Sequence, residues 1–342
     1  MITRLILRGV ALAVLCIAAC DIPTAPPKWD STFVVQGEGT TLSVGQLLPA
    51  SVTLANNSFA LSLSPSTFSQ NLGALCTACV ALNGTTAPKP AFTGNMSTTI
   101  GLPADVVSAV LTSGTVNLNI ANGLSFDPVR PSASATGSIV ITITSGSSTL
   151  GSTTVTTPLP AGASTQASVP LAGAIGGPLS VAVVVNSPAG DATQINTASN
   201  LTVTATPSNL RASSASVRVQ NRNVNAAQVS LDVGNIDDVV IENLKEGAFI
   251  LTINNPFNVT GNLTLTVMTG PTVITKQLAL AAGTSTVEVA FSQSELRQIL
   301  GKSGVTMRIS GPVTSANNVT MTPTQVLSVS SKLKLVVNVG GN

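Results

Sequence analysis

Apolar and polar residues alternate along most of this chain with a period of two, the pattern of strands with one buried face. Val116, Leu118 and Ile120 stand on one side of such a run and Asn117 and Asn119 on the other. Ile139, Ile141 and Ile143 define a second strand, Val155 and Val169 belong to two more, and further strands centre on Val181–Val185 and Leu201–Ala205. Near the start, Trp29–Val35 and Phe59–Ser64 alternate in the same way. Between them and Gly114, Phe68–Leu82 reads as a helical turn or a hairpin. The later part offers Val217 and Val219, Phe249–Ile253, then Leu263, Leu265 and Val267, and closes with Leu333, Leu335, Val337 and Val339 inward and Lys332, Lys334 and Asn338 outward. Lys332, Lys334 and Arg218 are placed to guard an open sheet edge.

One stretch occurs twice. Asp105–Leu124 and Asp238–Phe257 align without a gap and agree at eight of twenty positions: Asp105/Asp238, Val106/Val239, Val107/Val240, Leu111/Leu244, Gly114/Gly247, Leu118/Leu251, Ile120/Ile253 and Asn122/Asn255. The strands and turns after the first copy have counterparts after the second, with Gly162 matching Gly283. Such self-similarity implies an internal duplication. Asp237 or Asp238 is positioned to cap a short helix to Glu246 that Gly247 stops, while the copy at Asp105–Gly114 carries the β-branched run Val106-Val107, which disfavours a helix. Ser292-Gln293-Ser294-Glu295 spells a capping box opening a helix to Leu300, stopped by Gly301. The expected fold class is mainly β: two tandem antiparallel immunoglobulin-like or fibronectin-like β-sandwiches with a few short helices. Pro207 and Ser208 mark the division, giving a first domain at 29–206 with an N-terminal elaboration and a second at 207–342.

Residues 1–19 read as an export signal, with Arg4 and Arg8 ahead of the apolar run Gly9–Ala19, which is too short to span a bilayer. Ile17-Ala18-Ala19-Cys20 resembles the lipobox of bacterial lipoproteins. That resemblance implies cleavage before Cys20, acylation of its thiol and amine, and a lipidated tether at 20–28. Two or three acyl chains anchor a protein stably. The implied address is the bacterial cell envelope, on the periplasmic face, outer membrane or cell surface, with the membrane as partner and the covalent lipid as the sole attached group.

At Leu251–Phe257, Leu263–Val267 and Ala282–Val289 the sequence is similar to the LEA2, or water-stress and hypersensitive-response, domain: a strand ending in Asn-Pro, a strand of its own, then a Gly-Ser/Thr turn into an alternating strand. About fifty residues are covered. In the first copy Gly123 replaces the proline and an insertion follows. The resemblance implies an immunoglobulin-like sandwich without catalytic residues.

Composition removes much chemistry. Charged residues make up 8% of the chain and there is no histidine, so Ser-His and Cys-His nucleophile systems and the usual catalytic zinc sites are excluded. Loss of Arg4 and Arg8 leaves 13 basic and 13 acidic side chains. With no basic patch among aromatics, nucleic acid is excluded as a partner. A glycosidase-type pair drawn from Asp127, Asp191, Asp237, Asp238 and Glu242 is a distant reading. Asp232, Asp237 and Asp238 form a weak calcium candidate. Cys76-Thr77-Ala78-Cys79 fits a tight disulfide pinning a loop or a free reduced pair; a redox pair needs a thioredoxin-like setting, haem attachment a histidine where Val80 stands, and a metal site two further ligands. Arg218 and Arg222 lie on one face of one expected strand and could meet an anionic headgroup. The function expected is a non-catalytic, membrane-anchored structural or interaction module, with another envelope protein or a glycan as partner. The alternative is a carrier of lipid or another hydrophobe held between sheets or domains.

Overall fold

The computed structural model describes residues 28–340, so the signal segment and Cys20 lie outside the described residues. The fold is mainly β, built from antiparallel sheets of the β-sandwich class. In the first sandwich one sheet runs Ser164–Pro170, Val106–Asn122, Asn200–Val217 and Ser66–Asn71. Its facing sheet runs Ser148–Val155, Ser138–Ser145, Leu179–Ser187 and Phe92–Ile100. The second sandwich repeats this order. One sheet runs Gly283–Phe291, Leu244–Asn255, Val326–Val339 and Trp29–Gln36, and the other Thr272–Leu280, Thr260–Thr269, Thr306–Thr314 and Arg222–Asn225.

The alternation places the core as expected. Ile139, Ile141, Ile143, Val181, Val183 and Val185 are wholly buried in the first sandwich, and Leu251, Leu265 and Val267 in the second. Each such side chain contributes roughly 1.5–3 kcal/mol by leaving water.

Asn122 and Asn255 end the aligned strands and are buried, though polar. The Asn122 amide donates to the carbonyls of Phe126 (2.9 Å) and Leu159 (2.7 Å), and its oxygen accepts from the Leu124 N–H (2.9 Å). The Asn255 amide donates to Val259 (2.7 Å) and Ala281 (2.8 Å), while its oxygen has no partner. Each asparagine thus ties its own strand end to the turn entering the edge strand. The glycines of those turns, Gly162 and Gly283, adopt φ of +77° and +73°, where a side chain would be strained.

Four expectations are corrected. Trp29–Gln36, assigned with the first domain, pairs along its whole length with Val326–Val339, from Trp29↔Val339 to Gln36↔Lys332, and so belongs to the second sandwich. Thr40–Ser43 joins the same strand at Val326–Val329. Alternation shows that a segment is a strand; which sheet edge receives it is decided by what the rest of the chain leaves unpaired.

The division at Pro207–Ser208 also falls elsewhere, because both residues sit inside the continuous strand Asn200–Val217. Its register shifts between Ser208 and Arg211, and Asn209 has φ +52°. The turn signal there marks a bulge, not a linker.

Lys332 and Lys334 guard no edge, since their strand lies between Trp29–Gln36 and Leu244–Asn255; Lys334 faces Glu288 at 3.2 Å. Gly247 stops no helix: the helix is Asp238–Glu242, and Gly247 lies within the strand Leu244–Asn255. The capping box forms as expected, opening the helix Gln293–Ile299.

The two sandwiches share one core. Residues 40–61 run from the second to the first and bury Leu42, Val44, Leu47, Leu48, Val52, Phe59 and Leu61 in a cluster continuous with both. Val52–Ala55 and Ser58–Leu61 form a hairpin on Asn200–Val217, turning on Asn56 and Asn57, whose φ values of 49° and 56° suit a two-residue turn. Gln46 grips Asn225 from both sides, donating to its carbonyl (3.0 Å) and accepting from its N–H (2.6 Å). From the far side Val319–Met321 pairs with Ala215–Val217.

Candidate functional site

The most distinctive surface feature lies where the described chain begins. Cross-strand partners share a face, so Trp29, Ser31, Phe33 and Val35 stand on the same side as Val339, Val337, Leu335 and Leu333. Val35 packs against the core. Phe33 and Trp29 reach past its end and are 45% and 53% exposed. Alongside runs Asp238–Glu242, which begins where the Asp237 carboxylate accepts from the Val239 N–H (2.8 Å). Its Val240 and Ile241 pack on the core, leaving Val239 64% exposed. Phe33, Val239, Val240, Val337 and Val339 line an open cleft of about 280 Å³. Next to Trp29 in sequence, Asp30 accepts from the Lys245 ammonium (2.6 Å), and that bond and charge raise the lysine's pKa.

A second centre is internal. Cys76 and Cys79 form a disulfide with Cα atoms 5.3 Å apart, bridging two helical turns, Leu72–Leu75 and Thr77–Val80. Both sulfurs are buried beside Leu72, Leu124, Phe126 and Ile195 in a cluster separate from the main core. Nearby Lys89 is almost wholly buried. Its ammonium donates to the carbonyls of Pro90 (2.8 Å) and Pro188, and lies 4.8 Å and 5.3 Å from the ring centres of Phe92 and Phe126. Burial lowers its pKa from 10.5 to about 8. The group clamps the segment before Phe92 to the one after Ser187. Sequence reasoning passed over Lys89; its signal was a lysine between two prolines with a phenylalanine three residues on.

The other candidates do not assemble into a site. Asp127 is occupied as a backbone acceptor, from Val129 (2.8 Å), Arg130 (2.8 Å) and Leu159 (2.7 Å). Asp191, Asp238 and Glu242 are exposed or partly exposed. Among the described residues no three metal-ligating side chains come together, so Asp232, Asp237 and Asp238 do not form the calcium group that their spacing suggested. Arg218 and Arg222 do not share a strand: Val217 ends one and Arg222 begins the next, where its guanidinium pairs with Asp105 at 3.5 Å.

No known protein family matches the chain, and no curated protein does. Among solved structures it is similar to a candidate secreted protein from Parabacteroides distasonis, at 10% identity and TM-score 0.29, covering 89% of this chain and 99% of the other. A Paenibacillus xanthan lyase (10% identity, TM-score 0.17) is matched over 85% of this chain and 27% of its own. A Bacteroides uniformis β-glucuronidase (14%, TM-score 0.16) is matched over 78% and 28%. Likeness this slight carries no functional argument. Among the described residues no helix is long and apolar enough to cross a membrane, which says nothing about strands.

Proposed function

We propose that this chain is a non-catalytic lipoprotein of the bacterial cell envelope, held to a membrane by lipid on Cys20 and acting as a structural or interaction module. The observation that carries the reading is the junction between tether and body. Only eight residues separate Cys20 from Trp29, and Trp29 opens a strand bonded through eight register pairs to Val326–Val339. An anchor at Cys20 therefore holds the whole body close to its membrane rather than a domain on a long linker. The chemistry of the chain agrees: it has no histidine, and Asp127 and Asp237 serve the backbone. The shared strand order supports descent of both sandwiches from one immunoglobulin-like unit. Partners of this module are an envelope protein or a glycan, met at an open edge such as Gly283–Phe291.

Palmitate labelling and intact mass of wild type and Cys20→Ser, produced in the native host, test the anchor. Wild type is expected to carry a diacyl or triacyl adduct that the variant lacks. A wild-type product that is unacylated overturns the reading.

A further inference from the structure

We infer that the face formed by Trp29, Phe33 and Val239 is a docking surface for a phospholipid bilayer, seated at the boundary between headgroups and acyl chains. The inference rests on the lipoprotein reading only in supposing that the tether brings this face to a membrane. Phe33 and Val239, 45% and 64% exposed, line an open apolar cleft, and Trp29, 53% exposed, stands on the same strand face as Phe33, a gathering of apolar side chains that a water-facing surface has no use for. They sit at the root of the tether. Eight residues span at most about 30 Å fully extended, so this is the part of the body that an anchor at Cys20 cannot hold far from the bilayer. At such range weak insertion suffices, because attachment makes the second contact intramolecular.

The chemistry fits an interface. Tryptophan favours the headgroup level, where its ring is half apolar and its N–H stays wet. Phe33 and Val239 would enter the acyl boundary, while Asn243 and Asn338 at the cleft remain with the headgroups. The charges next to these residues in sequence are of both signs, Lys28 and Asp30 on either side of Trp29 and Asp237 and Asp238 ahead of Val239, and Asp30 is paired with Lys245. Docking is therefore driven by apolar insertion, needs no anionic lipid, and survives high salt.

Trp29 is the single tryptophan and there is no tyrosine, so its emission reports on this face. The experiment uses the mature chain with Cys20→Ser, attached through a hexahistidine ahead of residue 20 to phosphatidylcholine vesicles doped with nickel-chelating lipid. Attachment then does not depend on acylation in the cell, which the mass measurement decides separately. On attachment, Trp29 emission is expected to shift to the blue. Brominated acyl chains should quench it several-fold more than in Val239→Asp or Phe33→Asp, both checked by circular dichroism for an intact fold. Val239 is exposed enough for its variant to keep that fold.

Emission that ignores vesicles, or equal quenching in a folded variant, overturns the inference. So does a blue shift that appears without vesicles and grows with protein concentration, which would give the face to a second copy. Lipid retained in stoichiometric amount by the vesicle-free chain would make the cleft a carrier site and overturn it as well.

Discussion

The tripeptide Asp-Val-Val opens both aligned blocks, yet at 105–107 it leads into a strand and at 238–240 it starts a helix. The difference lies in what waits on either side. Val106 faces Val217, and Ala109 faces both Ala215 and Ile175, so the first block is paired on one flank from Val106 and on both from Ala109. In the second block pairing begins only at Leu244, opposite Val337. Upstream of that point no strand is offered, and the Asp237 carboxylate instead takes the Val239 N–H and begins a helix. Valine is compatible with either state, and the supply of partners decides.

The two blocks are also held by one another, and cutting the chain between them should have the largest effect. Chains ending at Pro207 or beginning at Ser208 should both fail to unfold cooperatively in urea. The cut severs the strand Asn200–Val217 and removes Trp29–Ser43 from the second sandwich. Two independently folding halves would show that the shared core is incidental.

Next in size are the buried asparagines. Asn122→Ala should cost about 3 kcal/mol and Asn255→Ala about 2 kcal/mol in denaturant unfolding, since each orphans two carbonyls and the first also orphans the Leu124 N–H. Equal costs would mean that the unpartnered Asn255 oxygen matters as much as the paired one.

Each sandwich also sets a lysine over phenylalanine, with opposite electrostatics. Lys276 lies 5.1 Å from the Phe291 ring centre and pairs with Glu295 at 2.8 Å; Lys89 has two carbonyls and two rings but belongs to none of the ion pairs among the described residues. Between about pH 8 and 10.5 the unfolded chain keeps the Lys89 proton that the folded chain has released. The unfolded state then binds more protons, so stability should rise with pH across that window, by about 1–3 kcal/mol. Lys89→Met should abolish the rise in thermal melts recorded against pH; a variant that keeps it would place the titration elsewhere. Glu295 behaves oppositely. Its pKa is lowered, first by the bond from Lys276, so its smaller contribution is present above the unfolded value and lost as pH falls through the folded one.

The smallest contrast concerns the aligned glycines. A Cβ on Gly247 would meet the Lys334 carbonyl and a Leu296 methyl, each at 2.8 Å; one on Gly114 would meet chiefly the movable end of Leu210. Gly247→Ala should cost about 2 kcal/mol and Gly114→Ala about 1 kcal/mol, read from shifts in the denaturation midpoint. The reverse order would deny the close packing of the helix Gln293–Ile299 on that strand.

Period-two alternation made the strands legible because a half-buried strand must repeat every second residue: Ile139, Ile141 and Ile143 could be placed inward from sequence alone. The capping box was legible because Ser292 and Glu295 satisfy each other's backbone within four residues. Partnership across the fold was not. Nothing in Trp29–Gln36 names Val326–Val339 as its neighbour, and Pro207 looks the same whether it breaks a chain or bulges a strand. The same limit hid the apolar cleft, whose walls come from residues 33, 239–240 and 337–339, and the Lys89 clamp, which depends on a carbonyl at Pro188.

The pairing of Trp29–Gln36 with Val326–Val339 also has a consequence in time. Contacts between residues so far apart in sequence are slow to form. A strand near the front of the chain must wait for one near the back before its hydrogen bonds can close. A chain that crosses a membrane front first would deliver this apolar ribbon long before its partner, and an unpaired strand is a template for aggregation. Folding in the destination compartment would then favour a helper that holds the early segment open, and the last strand to arrive would be the one that locks the molecule.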